Sequence, residues 1–372
     1  MPGLYGPTGF ALAGKMTRFS AAKPAALNMT LNRTTRIRMP KSIPENRPRR
    51  QRGIVFSVNR RIFLASLSAS LTQAASRLPA NKNIRWAVSA GLWSHFPPGP
   101  FTDILDVMRD TAFIGVRLTG FPGILKTYSL TAAQMEKEIS KRNLYVATIS
   151  FGGPAHDPAQ HARIIESAKE AMRFLKIFGA NRLVVFPPPP LKPGADVEAA
   201  FRAMAACYNR LGEVAGEMGF QAGLHNHLNA MVEKPDEVHR AMALTDPKLF
   251  HFAPDTAHLH LGGSNVVEMY QKYKQRIMFM DYKDAKWTTP AADVVLPNGK
   301  VHPKDSKSAR FFESIYDLGD GEIDFPACQR ILKEVQFKGW NCVDLDTARK
   351  GPRVSYQRCG AYIVKRLEPI YL

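Results

Sequence analysis

The chain has 372 residues, 45% of them hydrophobic and 10% aromatic, enough apolar material for one large domain or two ordinary ones. The formal charge of +19 is unevenly spread: residues 1–80 hold 14 Lys/Arg against the single acid Glu45, leaving 37 basic and 31 acidic residues for 81–372, which argues against a nucleic-acid face on the folded part. The scattered cysteines (Cys207, Cys328, Cys342, Cys359) fit neither a disulfide scaffold nor a metal knuckle, and no apolar run reaches the roughly 18 residues of a membrane span.

Residues 1–57 are rich in Arg, Pro, Ser and Thr and lack hydrophobic periodicity, so they are read as unable to offset chain entropy by burial. Then Arg60 and Arg61 precede a short, mildly apolar run from Ile62 and small residues near Ala74 and Ala75. This order resembles a bacterial twin-arginine export signal and predicts a periplasmic or secreted protein. An organelle transit peptide, a disordered basic tail and a cytoplasmic location are the alternatives. The expected organisation is a leader over 1–80 and one domain over 81–372.

From residue 84 onward, β-rich apolar runs alternate with amphipathic stretches. Strands are predicted over 84–93, 115–121, 144–151, 182–186, 220–225, 249–255, 276–282 and 340–345. Helices are predicted over 101–112, from 129 or 131 to 141, and over 157–178, 197–218, 325–335 and 356–367. Gly179 and Gly219 stop two of them. Eight such units in about 290 residues predict a closed (β/α)8 TIM barrel. An open doubly wound sheet is the alternative, and no Gly-rich phosphate fingerprint supports it. The long connection over 285–320 is a candidate active-site lid.

In such a barrel, chemistry collects at the C-terminal strand ends. Here those ends carry His225, Asn226 and His227, with Glu233 following; then Asp255 and His258; then Asp281, Lys283 and Asp284; then Asp344 and Asp346. Carboxylates on four successive strands converge on one pocket, and such a concentration of negative charge calls for a cation. Trp86, Trp93 and Phe121 either line a sugar pocket or pack the core.

The same residues carry a resemblance. His225-Asn226-His227 with Glu233, Asp255-Thr256-Ala257-His258, Lys283-Asp284, the Gly-Asp-Gly-Glu-Ile-Asp-Phe run at 319–325 and the 340–346 run together resemble the sugar phosphate isomerase/epimerase family of xylose isomerase-like barrels. The pattern is nearest to its inosose-dehydratase-like members and covers residue 84 to the C-terminus.

The resemblance implies a divalent metal, Mn²⁺ or Mg²⁺ with Co²⁺ as a further option, on Glu233, Asp255, Asp281 and Asp344. His227 competes with Glu233 for the strand-five position. Asp281 stands where the family has His, Asp344 where it has Glu, and Arg117 where strand two often carries Glu. Catalytic roles are expected for Glu233, Asp344, His258 and Lys283, and substrate contacts for His225, His227 and Arg117.

The implied activity is isomerisation or epimerisation of a small sugar or polyol: a proton is removed next to a carbonyl and the metal stabilises the enediolate. An inosose-dehydratase-like lyase is the alternative. A non-catalytic sugar-binding barrel and a relative of abasic-site endonucleases are further readings. No nucleic-acid partner and no membrane insertion are expected, and the oligomeric state is left open.

Overall fold

A computed structural model describes residues 81–372; the leader with Arg60 and Arg61 lies outside the described residues. Eight parallel strands alternate with helices: β1 (Ile84–Ser89), α1 (Phe101–Thr111), β2 (Gly115–Leu118), α2 (Ala132–Ser140), β3 (Tyr145–Gly152), α3 (His161–Ile177), β4 (Arg182–Phe186), α4 (Val197–Glu217), β5 (Gln221–Leu224), α5 (Pro235–Leu244), β6 (Phe250–Phe252), α6 (Val266–Tyr273), β7 (Met280–Tyr282), α7 (Phe325–Glu334), β8 (Gly339–Val343) and α8 (Pro352–Tyr362). Their hydrogen-bonded order is β6-β5-β4-β3-β2-β1-β8-β7. The two ends of that order meet through parallel bridges Phe252↔Ile277 and Asp255↔Asp281, which close the barrel.

The helices start where local chemistry lets them. Thr131 and Gln134 form a reciprocal capping box on α2, and Asp196 caps α4 through Ala199 N–H. Apolar faces of the helices join strand residues such as Trp86, Val116 and Phe252 in a continuous outer core. A second, smaller cluster fills the lumen, with Ala87, Ala147, Val184, Ala253, Phe279, Trp340 and Cys342. Gly115 leaves room for the Trp340 ring, which a Cβ at that position would meet at 2.3 Å. At the N-terminal strand ends, Glu368 accepts from Trp86 Nε1 (2.7 Å) and Asn81 Nδ2 (2.7 Å), tying the C-terminal segment to β1.

The alternation of strand side chains decides what faces the mouth. Residues two beyond the lumen layer on the same strand face share its direction: Ser89 follows Ala87, Asp281 follows Phe279, Asp344 follows Cys342 and Asp255 follows Ala253.

Several boundaries differ from the sequence reading. The first strand stops at Ser89 and a 3-10 turn, Ala90–His95, replaces its predicted end. The ladders of β6 and β7 are shorter than predicted, because both border the seam where only isolated bridges form. The connection over 285–320 is not structureless. Asp284–Ala285 pairs with Ile315–Tyr316, Val294–Val295 pairs with Val301–His302, and Lys307–Glu313 is a helix. Helix α8 ends at Tyr362 and continues as a wider π turn, Ile363–Leu367, followed by one short helical turn, Glu368–Tyr371. Among the described residues, no helix is long and apolar enough to cross a membrane.

Candidate active site

The strand ends of β1, β2 and β5–β8 bring one buried polar cluster together. Arg117 on β2 reaches across the mouth. Its Nη1 lies 3.0 Å from Asp281 Oδ2 and its Nη2 lies 2.8 Å from Asp344 Oδ2 and 3.0 Å from Ser89 Oγ. Lys283, just past β7, places Nζ 2.6 Å from Asp346 Oδ2, 2.7 Å from Asp344 Oδ2 and 3.2 Å from Asp255 Oδ2. The Lys283 backbone is pinned as well: Thr256 Oγ1 accepts its N–H (2.9 Å) and donates to its carbonyl (2.8 Å).

Three histidines line the other side. The His225 ring lies against Phe186 (centroids 4.3 Å apart), and its Nδ1 is 3.3 Å from Asp281 Oδ2 without hydrogen-bonding geometry. The His258 ring stacks parallel to Phe311 and places Nε2 3.3 Å from Lys283 Nζ. The His227 ring lies 3.9 Å from that of His258. His227 Nδ1 is 2.7 Å from the Leu228 carbonyl. A carbonyl only accepts, so Nδ1 carries the proton and Nε2 is the acceptor nitrogen of the neutral ring.

Electrostatics follow from burial and from the two cations. Burial pushes the Asp255 carboxyl up to about 6, with Lys283 and His225 pulling the other way. Burial likewise raises Asp281 to about 7 against the pull of Arg117. At Asp344 burial is overcome by Arg117 and Lys283, which hold the carboxyl well below its usual range. Burial lowers His225 and His227 to about 3 and takes His258 well below its ordinary value, so all three rings are neutral near pH 7. Four aspartates thus face two cations, and the site has more carboxylates than positive charges to match them.

That excess makes the cluster fit for a divalent ion. His225, Asp255 and His258 present ligand atoms within 4.8 Å of one another, all buried. His225 Nδ1, Asp255 Oδ2 and Asp281 Oδ1 are buried without a hydrogen bond, and Lys283 Nζ stands 3.2 Å from Asp255 Oδ2 as an ion pair. The group differs from the expected set. Of Glu233, Asp255, Asp281 and Asp344, it contains only Asp255. Asp281 and Asp344 turn to Arg117, and the Glu233 carboxylate accepts Asn229 N–H at 2.7 Å in its own loop, joining neither the ion pairs nor the group of three.

Sequence reasoning gave no role to Ser89 or His95, and counted Asp346 among the strand-end carboxylates without a role of its own. His95 Nε2 stands 4.0 Å from Asp346 Oδ1, and Ser89 supports Arg117. The signal for Asp346 is its spacing of two from Asp344 and for Ser89 its spacing of two from the lumen residue Ala87. Asp284, adjacent to Lys283, serves the Gly-rich element instead. Its Oδ2 accepts Gly319 N–H (2.8 Å) and Gly321 N–H (3.0 Å), and a Cβ on Gly321 would meet its carboxylate at 2.2 Å.

An inosose dehydratase from Bacillus velezensis is 26% identical over 279 residues, 71% of this chain and 90% of its own. The crystal structure of the IOLI protein with a zinc atom has a TM-score of 0.59 at 15% identity, covering 77% of this chain and 99% of its own. An L-ribulose 3-epimerase structure has a TM-score of 0.59 at 16% identity, covering 77% and 95%. These structural likenesses concern the fold. Residues 105–358 match the xylose isomerase-like TIM barrel family, and the chain belongs to that family.

Proposed function

We propose that the protein is a lyase that removes water from a small keto-polyol. The observation that carries this reading is the match to an inosose dehydratase along 90% of that enzyme's length. The sequence reading put isomerase or epimerase first and dehydratase second. The extended match reverses that order.

The chain's own residues supply a balanced elimination. His227 Nε2 takes the proton from the carbon next to the carbonyl. Lys283 Nζ donates to the carbonyl oxygen as it gains enolate charge. An ammonium has three donors, and those on Asp344 (2.7 Å) and Asp346 (2.6 Å) are the short ones. The longer contacts, to Asp255 (3.2 Å) and His258 (3.3 Å), are the ones a substrate oxygen would replace. The enolate electron pair then expels the β-hydroxyl, which leaves as water with the proton from the His227 imidazolium. One C–H and one C–O bond break, a C=C bond forms, and His227 returns neutral. A divalent ion on His225, Asp255 and His258 would polarise the carbonyl as a Lewis acid. Arg117 keeps Asp344 ionised, and Asp344 in turn holds Lys283 in place.

The test is incubation of the metal-supplemented protein with an inosose and with open-chain ketoses, followed by mass spectrometry and ultraviolet absorbance. The expected product has lost one water and absorbs as an enone. A product of unchanged mass would replace the lyase reading by isomerisation or epimerisation.

A further inference from the structure

The two ends of the lumen differ in how their cations are matched. At the mouth, Arg117 is paired with Asp281 and Asp344. At the floor, strand residues two before the lumen layer share its direction. Arg85 precedes Ala87, Tyr145 precedes Ala147, Arg182 precedes Val184 and His251 precedes Ala253. None of these floor residues is acidic.

The two guanidiniums approach one side of the floor from opposite directions around the barrel. Arg85 on β1 is in register with Trp340 on β8, and its guanidinium lies 4.2 Å from the centroid of that indole. The exposed Tyr145 ring borders the same indole at 6.4 Å. Arg182 reaches from β4 to the residues before β7. Its Nε donates to the Met278 carbonyl (3.3 Å) and its Nη1 to Asn181 Oδ1 (2.8 Å). Met278 and Trp340 belong to the same lumen cluster, and Trp340 is 4% exposed, so the floor is closed beneath the two arginines.

Their charge is left unbalanced. Burial lowers both guanidiniums from their ordinary value, Arg85 lowers Arg182 further, and among the described residues no carboxylate pulls either of them the other way. Two partly desolvated cations side by side repel each other, and an anion between them relieves that repulsion. Stacking on the indole uses the face of the Arg85 guanidinium and leaves its edge donors for an oxyanion.

We propose that Arg85 and Arg182 form a phosphate-binding site on the barrel floor, opposite the mouth, which takes one phosphoryl group, free or as the monoester of a small molecule. A guanidinium fork matches two phosphate oxygens, and two forks neutralise a dianion. The Tyr145 hydroxyl and the His251 ring are the neutral donors at its rim.

The experiment is isothermal titration of the full chain with inorganic phosphate and with glycerol 3-phosphate, without any mouth substrate, so the result stands apart from the dehydration assay. One saturable site is expected per chain. R85Q and R182Q should each weaken it by about tenfold, and R85Q/R182Q should abolish it. Tighter binding of the ester identifies an organic phosphate as the ligand, and equal affinities identify the free ion. Wild-type crystals soaked in tungstate, a heavy analogue of phosphate, need no variant to fold and should show an anomalous peak between the two guanidiniums. Binding that survives in R85Q/R182Q, a tungstate peak at the mouth alone, or no binding of either phosphate by the wild type would each overturn the proposal.

Discussion

Arg117 on β2 and Asp281 on β7 are 164 residues apart in sequence, and their side chains meet at 3.0 Å inside the barrel mouth. Burying such a pair has a desolvation cost that the pairing itself must offset. Removing one member strands the other. R117M should therefore destabilise the protein by about 3–5 kcal/mol, with Asp281 losing the guanidinium it is paired with and Asp344 left with Lys283. The double variant R117M/D281L should recover part of that loss, since no charge is then stranded on β7. Chemical denaturation of the four corners of this cycle measures it. Additive single and double losses would mean that the ion pair carries no coupling.

Asp284 organises the turn before α7. Its Oδ2 accepts from Gly319 and Gly321, and its Oδ1 accepts from Ala285 (2.9 Å) and Ile323 (3.3 Å). D284N keeps the shape but turns one oxygen into an NH₂ that must face two N–H donors. It should cost about 1.5–3 kcal/mol, close to the cost of D284A. Amide exchange at Gly319 and Gly321 should speed up in both variants. Protection equal to wild type in D284N would show that the turn holds without this carboxylate.

Gly115 is the point of closest approach in the lumen. In G115A the new Cβ would fall 2.3 Å from the Trp340 ring, so β2 or the indole must move. Overpacking of this kind costs about 1–3 kcal/mol. The double variant G115A/W340L makes room and should regain stability relative to G115A in thermal melts. If G115A melts like wild type, the lumen has slack at this layer.

The barrel was legible because its strands are buried on both faces and read as apolar runs between amphipathic helices. Trp86 packs outward while Ala87 packs inward, and both are apolar. The ladder ends were not legible. Residues 249–255 and 276–282 look as strand-like as any others, yet they flank the seam, where Pro254 has no N–H to give and only bridges form. In the site, polar residues placed at strand ends by period two were found from sequence: Asp255, Asp281, Lys283 and Asp344 all meet. Glu233 was carried over from the strand-five position of the resembling family, with His227 as its competitor, and its carboxylate accepts Asn229 N–H in its own loop. Sequence spacing also could not reveal that Arg117 spans the mouth to Asp281 and Asp344. That depends on how far β2 stands from β7 around the closed barrel.

His227 offers the most direct test of the proposed elimination. Its Nδ1–H is committed to the Leu228 carbonyl, which orients the ring and leaves Nε2 as the basic atom. H227Q keeps polarity and approximate size but cannot take a proton from carbon. Loss of a general acid–base lowers turnover by about 10²–10⁴. The reduction should fall on kcat, with KM changed little, because the group acts in the transition state rather than in holding the ground-state ketone. Metal affinity should stay near that of the wild type, since His227 is outside the group of His225, Asp255 and His258. A solvent-deuterium exchange assay separates the two halves of the reaction. Wild type should wash deuterium into the carbon next to the carbonyl during turnover, and H227Q should not. If H227Q exchanges that proton at the wild-type rate while losing dehydration, another base removes the proton and His227 serves only the leaving hydroxyl.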